Sequence, residues 1–407
     1  MTQTLVPSEV EGRWQSAGQT PLDFARDERT SAEPEPLALY IHWPFCVSKC
    51  PYCDFNSHVR AQVDQDVWRE ALLADLAHEA RVAPRGKLGS IFFGGGTPSL
   101  MPPATVAALI AAAERHWGFA DGIEITLEAN PSSVEAARFR DLAAAGINRV
   151  SLGLQSLDDK ALIFLGRAHG AAEGLAALET AQQAFERVSF DLIYALPGQS
   201  EAAWRDELAR ALSFGTGHLS LYQLTIEPGT RFAALAAKGE LAHPDPDHGA
   251  ILYELTRSMT ARAGLPAYEV SNHARPGEES RHNLAYWRYS PYLGVGPGAH
   301  GRRGSLATQR HKKPENFLSA LARNGNGIAG ETPLGERDRA METLLMGLRL
   351  AEGVDLTRPG VRALIDWRAA GRIEAQGLLE RDPGRVRVTP AGVLLLDAIL
   401  AEIVAPA

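Results

Sequence analysis

Six apolar runs set the rhythm of this chain and restrict its fold more than any other feature. They are LALYIHW (37–43), SIFFGGG (90–96), IEITLEAN (123–130), RVSLGLQS (149–156), VSFDLIYALPG (188–198) and HLSLYQLTIEP (218–228), and each has the look of a buried parallel strand. Between them lie Ala- and Leu-rich stretches such as VWREALLADLAHEARVA and PATVAALIAAAERHWG, with apolar residues at helical spacing. Strand–helix alternation of this kind predicts βα units around a parallel sheet. Six units fall short of the eight that close a full barrel. The expected fold class is therefore α/β, an open, partial (βα)6 barrel over residues 36–230.

The flanking regions differ in texture. Residues 1–35 are polar, end in Ala-Glu-Pro-Glu-Pro, and are expected to be a flexible lead-in. Residues 231–304 break the rhythm with Gly, Pro, His and Tyr and are expected to be irregular. From 305 to 407 come ERDRAMETLLMGLRLAEGVD, GRIEAQGLLERD, a strand-like RVRVTP and a last helix in AGVLLLDAILAEIV. This predicts a mainly helical, winged-helix-like C-terminal domain. The whole chain has a net charge of −8 and so lacks the basic footprint of a nucleic-acid binder; a packing role is the expectation for this domain, and no nucleic-acid partner is expected. The amino terminus lacks a basic region followed by an apolar run, and no uncharged apolar stretch is long enough to cross a bilayer. A reducing cytoplasm is the expected compartment.

All three cysteines lie in one loop after the first strand, Cys46-Val-Ser-Lys-Cys50-Pro-Tyr-Cys53. Three is an odd number, and disulfide frameworks belong to small secreted domains. Zinc would take these thiolates with His42 or His58 as a fourth ligand, although structural zinc sites usually come as two separated pairs. A CxxxCxxC loop can instead ligate three irons of a cubane cluster and leave the fourth iron open to a small molecule. The other strand ends carry ligand-facing residues as well: Gly94-Gly95-Gly96-Thr97-Pro98, Glu128-Ala-Asn130-Pro131, Gln155-Ser156 and Asp191. Singly, each could be a helix cap or a turn. In βα barrels the strand ends build the active site, and their convergence with the cysteine loop predicts a ligand cup. The glycine run suits it, since bare backbone can approach a ligand closely and offer N–H groups.

Beyond residue 36 the chain resembles the radical-SAM proteins of the oxygen-independent coproporphyrinogen III oxidase group. The matching segments are Tyr40-Ile-His42-Trp-Pro44-Phe45-Cys46, the cysteine triplet, GGGTPS (94–99), LEANP (127–131), SLGLQS (151–156), LGRAH (165–169) and DLIYALPGQ (191–199). The resemblance implies a radical-SAM barrel with a [4Fe–4S] cluster on Cys46, Cys50 and Cys53, and S-adenosylmethionine (SAM) chelating the open iron. It implies SAM contacts at Tyr40, Gly95, Gly96, Thr97 and Glu128, and Tyr52 packing beside the cluster. Gln155, Arg167 and Asp191 match positions that bind a second SAM or other parts of the pocket.

Two departures point within the group. The oxidase has a further cysteine two positions after the third, and here that position is Phe55. The oxidase also has a structured amino-terminal extension, for which residues 1–35 look too polar. Both differences are similar to those of the oxidase-like HemW branch of haem chaperones, which lacks the dehydrogenase activity. That branch carries an HNxxYW signature, present here as His282-Asn283-Leu-Ala-Tyr286-Trp287. The resemblance implies haem as cargo for an unknown acceptor protein, no catalytic residue of its own, and His282 as haem ligand. His273 and His300 are rivals, and Arg281 and Arg288 are candidates to pair with propionates. Coproporphyrinogen III dehydrogenation is the alternative function. Radical modification of RNA is disfavoured by the acidic balance.

Overall fold

The computed structural model describes residues 35–405. The expectation for the lead-in falls outside these residues, apart from Glu35. All six predicted strands form: β1 (Leu37–Trp43), β4 (Leu88–Gly95), β5 (Phe119–Ala129), β6 (Arg149–Gln155), β7 (Arg187–Tyr194) and β8 (His218–Gln223). They pair in parallel in that order. Two short strands, β2 (Phe45–Cys46) and β3 (His58–Val59), bracket the cysteine loop as a separate parallel pair.

The stretch 231–304, read above as irregular, is largely ordered. It contains the helix Pro246–Arg262, strand β9 (Asn272–Ala274) antiparallel to β8, and the helix Arg281–Trp287. It also supplies β10 (Tyr292–Val295), a further parallel strand on the free side of β1. Strands β11 (His300–Arg303), β12 (Leu306–Arg310) and β13 (Ile328–Pro333) extend that edge antiparallel. Among the described residues the main sheet therefore has eleven strands and remains open, with β9 and β13 at its ends. Some of the Pro and Gly residues behind the irregular reading fall at element ends, such as Pro246 at a helix start and Gly296 after β10, while Gly249 and Gly294 sit inside a helix and a strand.

The strand pleat divides the residues cleanly, since successive side chains point to opposite faces. Leu39, Ile41, Ile91, Phe93, Ile125, Leu127, Val150, Leu152, Phe190 and Leu192 form the core with the surrounding helices. The alternate positions point into the barrel, where Tyr40, Ser90, Thr126, Glu128, Arg149, Ser151, Ser189, Asp191 and His218 make a polar lumen. Buried hydroxyl, imidazole and charged groups are tolerated there because they bond to one another. Ser151 Oγ donates to Asp191 Oδ1 at 3.2 Å, and Ser189 Oγ lies 2.7 Å from His218 Nδ1.

A second core gathers Leu344, Val354, Leu364, Ile373, Val386, Leu396 and Ile399. Its elements run helix Glu336–Gly347, β14 (Val354–Asp355), helices Val361–Leu364 and Trp367–Ala375, then β15 (Leu379–Arg381) and β16 (Arg385–Val388). That helix–strand–helix–helix–strand–strand order is winged-helix-like. Strands β12 and β13 still belong to the barrel sheet, so this unit begins near residue 335 rather than 305. It docks at the amino ends of the barrel strands. There Arg288 pairs bidentately with Glu352 (2.8 Å each), Arg349 lies over the Trp287 ring at 4.8 Å, and Arg358 bonds Glu35 at 2.7 Å.

Candidate functional site

The cluster loop is positioned by backbone first. Ser57 N donates to Phe55 O at 2.7 Å and His58 N to Pro44 O at 2.6 Å, which closes the loop onto its own entrance. Phe232 N donates to Pro51 O at 2.9 Å and ties the loop to the far side of the mouth, where Tyr52 packs against Phe232. All three thiols are free and partly buried.

Each sulfur has its own polar neighbour. Thr97 Oγ1 donates to Cys46 Sγ at 3.4 Å and Arg167 Nη1 to Cys50 Sγ at 3.4 Å, while Ser57 Oγ lies 4.0 Å from Cys53 Sγ. Burial pushes the Cys46 and Cys53 thiols up, and the hydrogen bonds pull the other way. Arg167 continues to Asn130 Oδ1 (2.7 Å) and Gly153 O (2.8 Å), and Asn130 Nδ2 donates to Thr97 Oγ1 (3.1 Å). The chain Cys50–Arg167–Asn130–Thr97–Cys46 thus links the ends of β4, β5 and β6 around the loop.

These residues fit a [4Fe–4S] cluster. Among the described residues no three His, Cys, Asp or Glu side chains are gathered closely enough to hold a single metal ion. A cubane instead takes one thiolate on each of three separate irons. His42 is not available as a zinc ligand. Its Nε2 lies 2.9 Å from Asn56 O, an acceptor, so Nε2 carries the proton and Nδ1 accepts from Tyr40 OH at 2.9 Å. Burial lowers its pKa to about 4, which keeps it neutral.

The glycine run acts through space rather than through free N–H groups. Gly95 N donates to Glu128 Oε2 (3.1 Å), Gly96 N to Trp43 O (2.7 Å) and Thr97 N to Phe45 O (2.9 Å). The expectation that these amides point at a ligand is therefore corrected, since the fold already uses them. Gly95 sits at φ 115°, and a Cβ there would meet the His42 ring at 2.5 Å; one on Gly96 would meet the Phe45 backbone at 2.7 Å.

Tyr40 and Glu128 stand together beside this run. Burial and the Glu128 carboxyl hold the Tyr40 phenol well above its ordinary pKa. Across the lumen, Asp191 sits beside Ser151 on β6, while Gln155 adopts φ 70° at the end of that strand. Burial, then repulsion from Asp191, raises Glu128 to about 8, and burial raises Asp191 to about 6. A folded-state pKa above the unfolded value of 4.5 stabilises the fold fully below about 4.5, and that contribution is lost as pH rises through about 8. Urea unfolding of the reconstituted, SAM-free protein should therefore show stability falling across this window, with a shallower fall in Glu128→Gln. Parallel profiles for the two proteins would show that Glu128 does not titrate there.

The HNLAYW segment is a helix under the barrel. Its Ser280 N-cap accepts from Asn283 N, and His282 N and Ser280 Oγ both reach Glu124 Oε1. His282 is buried below Tyr40 and Phe92, with ring centroids 6.2 and 5.0 Å away, and its Nδ1 lies 3.2 Å from Ser90 Oγ. Burial lowers its pKa to about 4. The rival His273 is also buried and bonds Thr260 Oγ1 at 2.9 Å; His300 lies 3.3 Å from Gln309 Nε2 at the β11–β12 edge. Arg288 is held by Glu352, and Arg281 donates to Gly122 O.

The structure brings Tyr52, Gly95, Gly96, Thr97, Gln155, Arg167 and the three cysteines to the mouth, sets Tyr40, Glu128 and Asp191 in the polar lumen beneath it, and places His282 on the floor. Asn130, flagged only as part of the Glu128-Ala-Asn130-Pro131 strand end, bonds Arg167 and Thr97, and Ser57, which carried no sequence signal, lies beside Cys53.

Fold and site define a radical-SAM protein: the family model described as the radical SAM superfamily matches residues 40–211, and the HemN C-terminal domain matches 334–395. A solved structure of coproporphyrinogen III oxidase (HemN) from Escherichia coli superposes with a TM-score of 0.76 at 23% identity over 90% of each chain, which speaks for the fold. The heme chaperone HemW of Mycobacterium tuberculosis is 38% identical over 90% of this chain and 94% of its own, and that of E. coli 35% identical over 90% and 97%. A mouse protein named radical S-adenosyl methionine domain-containing protein 1, mitochondrial, is 39% identical over 97% and 95%. The chain belongs to this HemW-type family of radical-SAM proteins. No helix among the described residues is long and apolar enough to cross a membrane.

Proposed function

We propose that the protein is a haem chaperone that holds a [4Fe–4S] cluster and SAM at the barrel mouth and passes haem to an acceptor protein. The observation that carries the cluster part is the trio of thiols in one loop, each with a hydroxyl or guanidinium at its sulfur. When bound, the cluster supplies electrons and an iron with an open coordination position. Tyr40, Gly95, Gly96, Thr97 and Glu128 line the place where SAM would lie, and an ionised Glu128 would pair with its ammonium group. Gln155, Arg167 and Asp191 close the opposite wall.

The chaperone part is supported by the likeness to heme chaperones over nine-tenths of the chain. It is also supported by Phe55, which stands where the oxidase has a further cysteine and is 60% exposed. The reducing cytoplasm suits partly exposed thiols, and the acceptor is a second protein of unassigned identity. The buried setting of His282 supports a supporting role in the barrel floor over haem ligation.

Anaerobically reconstituted protein given coproporphyrinogen III, SAM and reductant should form no protoporphyrinogen. Added haem should produce a Soret shift saturating at about one per chain. Sustained turnover of coproporphyrinogen would replace this reading with the dehydrogenase.

A further inference from the structure

Behind the cluster loop lies a carboxylate that no sequence motif marks. Glu135 sits in the one-turn helix Ser133–Ala136, just past the strand end Glu128-Ala-Asn130-Pro131, and only 4% of it is exposed. Burying a carboxylate is expensive unless donors meet its oxygens. Here the donors are neutral groups. Ser99 Oγ and Asn130 N both donate to Oε2, the latter at 3.0 Å, and Ser132 Oγ donates to Oε1 at 3.3 Å.

The two groups on Oε2 come from different strand ends. Ser99 is fully buried in the turn Pro98–Leu100, close behind Thr97 and the glycine run of β4. Asn130 follows β5 directly. A single oxygen atom therefore pins the β4 and β5 loops together. Arg138 Nη2 donates to Met101 O at 2.8 Å and adds a second tie between the same segments.

The Asn130 side chain leaves this anchor in a defined direction. Arg167 is a donor only, so the amide atom it meets at 2.7 Å is Oδ1, and Nδ2 must face Thr97 Oγ1 at 3.1 Å. Since Thr97 Oγ1 accepts there, its own hydrogen is left for Cys46 Sγ, 3.4 Å away. Arg167, held by the same amide, places Nη1 on Cys50 Sγ at 3.4 Å. A shift of Asn130 would disturb the hydrogen bonds to both sulfurs at once. Groups outside the ligand layer commonly orient metal ligands and tune the metal in this way.

We infer that Glu135 is a positioning residue for the cluster: by holding Ser99 and the Asn130 backbone N–H on one oxygen, it aims the Asn130 side chain and so sets the hydrogen bonds received by Cys46 and Cys50. The inference rests on the cluster reading above. It adds a residue that acts on the sulfurs only through others.

The test compares two pairs of full-length, anaerobically reconstituted proteins, each pair matched in charge: Glu135→Ala with Glu135→Gln, and Glu135→Asp with wild type. Glutamine can present an oxygen where Oε2 stands, alanine cannot, and aspartate stops one methylene short. Hydrogen bonds to cluster sulfurs raise the reduction potential, so the first-named member of each pair should have the lower potential. It should also lose iron to a chelator about tenfold faster. Should Glu135→Ala not fold, the aspartate pair decides alone. Glu173→Ala controls for loosening of the same turn, because Glu173 accepts from Ser133 N at 2.8 Å, and it should keep the wild-type potential. Equal potentials and iron-loss rates within both pairs overturn the inference, as does a drop in Glu173→Ala as large as that in Glu135→Ala; either result leaves the cluster reading standing. Wild-type protein that assembles no [4Fe–4S] cluster defeats that reading itself.

Discussion

Replacing Asp75 by alanine should cost about 3–5 kcal/mol of folding stability, the cost typical of breaking a buried ion pair from one side. Asp75 lies on the helix Gln65–Val82 and is fully buried. One carboxylate oxygen accepts from Gly327 N (3.0 Å), and the other from Gly296 N (3.0 Å) and Arg310 Nε (3.3 Å). Arg310, also fully buried, reaches Glu79 on the next helical turn at 2.5 Å. Deleting the carboxylate strands two backbone donors and leaves a buried guanidinium with one partner fewer. The network anchors β10–β13 to the helix behind β1, so its loss should loosen that edge. Equilibrium urea unfolding measures the effect. Adding Arg310→Met to Asp75→Ala should cost much less than the sum of the two single changes, because the second substitution removes the stranded charge. Strict additivity would show that the pair is not coupled.

Arg167→Leu should produce the largest effect at the site. The guanidinium donates to Cys50 Sγ, Asn130 Oδ1 and Gly153 O. Without it the two oxygens lose donors at about 1–3 kcal/mol each, and the Thr97–Asn130 link to Cys46 loses its anchor. Hydrogen bonds to cluster sulfurs also raise reduction potential, so their removal lowers it. The expected result is a chain that folds but retains less iron and sulfide after gel filtration, with a lower potential for whatever cluster remains. Arg167→Lys restores charge without the forked donors and should recover the cluster only in part. Wild-type iron retention and potential in Arg167→Leu would show that the relay around the loop does not support the cluster.

The six strands were legible because each is a compact apolar run, and parallel order follows from the helices between them. What those runs concealed was the lumen. Glu124, Thr126 and Glu128 alternate with Ile125 and Leu127, as Ser189 and Asp191 do with Phe190 and Leu192, so each strand has one core face and one polar face. Reading them as doubly buried strands missed that alternation. Strand β10 was hidden for another reason. Its four residues pair with β1 across a sequence gap of about 250 residues, and no local pattern reports such a contact.

The site was legible where chemistry needs rare residues, as in the cysteine triplet and the glycine run. It was illegible where ordinary residues matter by placement. Ser57 touches Cys53 only because the loop folds back through Pro44 and His58. His282 was a plausible haem ligand by motif, but packing puts it between Ser90, Phe92 and Tyr40 under the cup.

The most direct measurement is a single stoichiometry on anaerobically reconstituted protein loaded with haem: non-haem iron, acid-labile sulfide and haem per chain. The account predicts about four irons, about four sulfides and about one haem held together by the same molecule. Haem uptake only by cluster-free protein, or a full cluster with no haem bound, would contradict it.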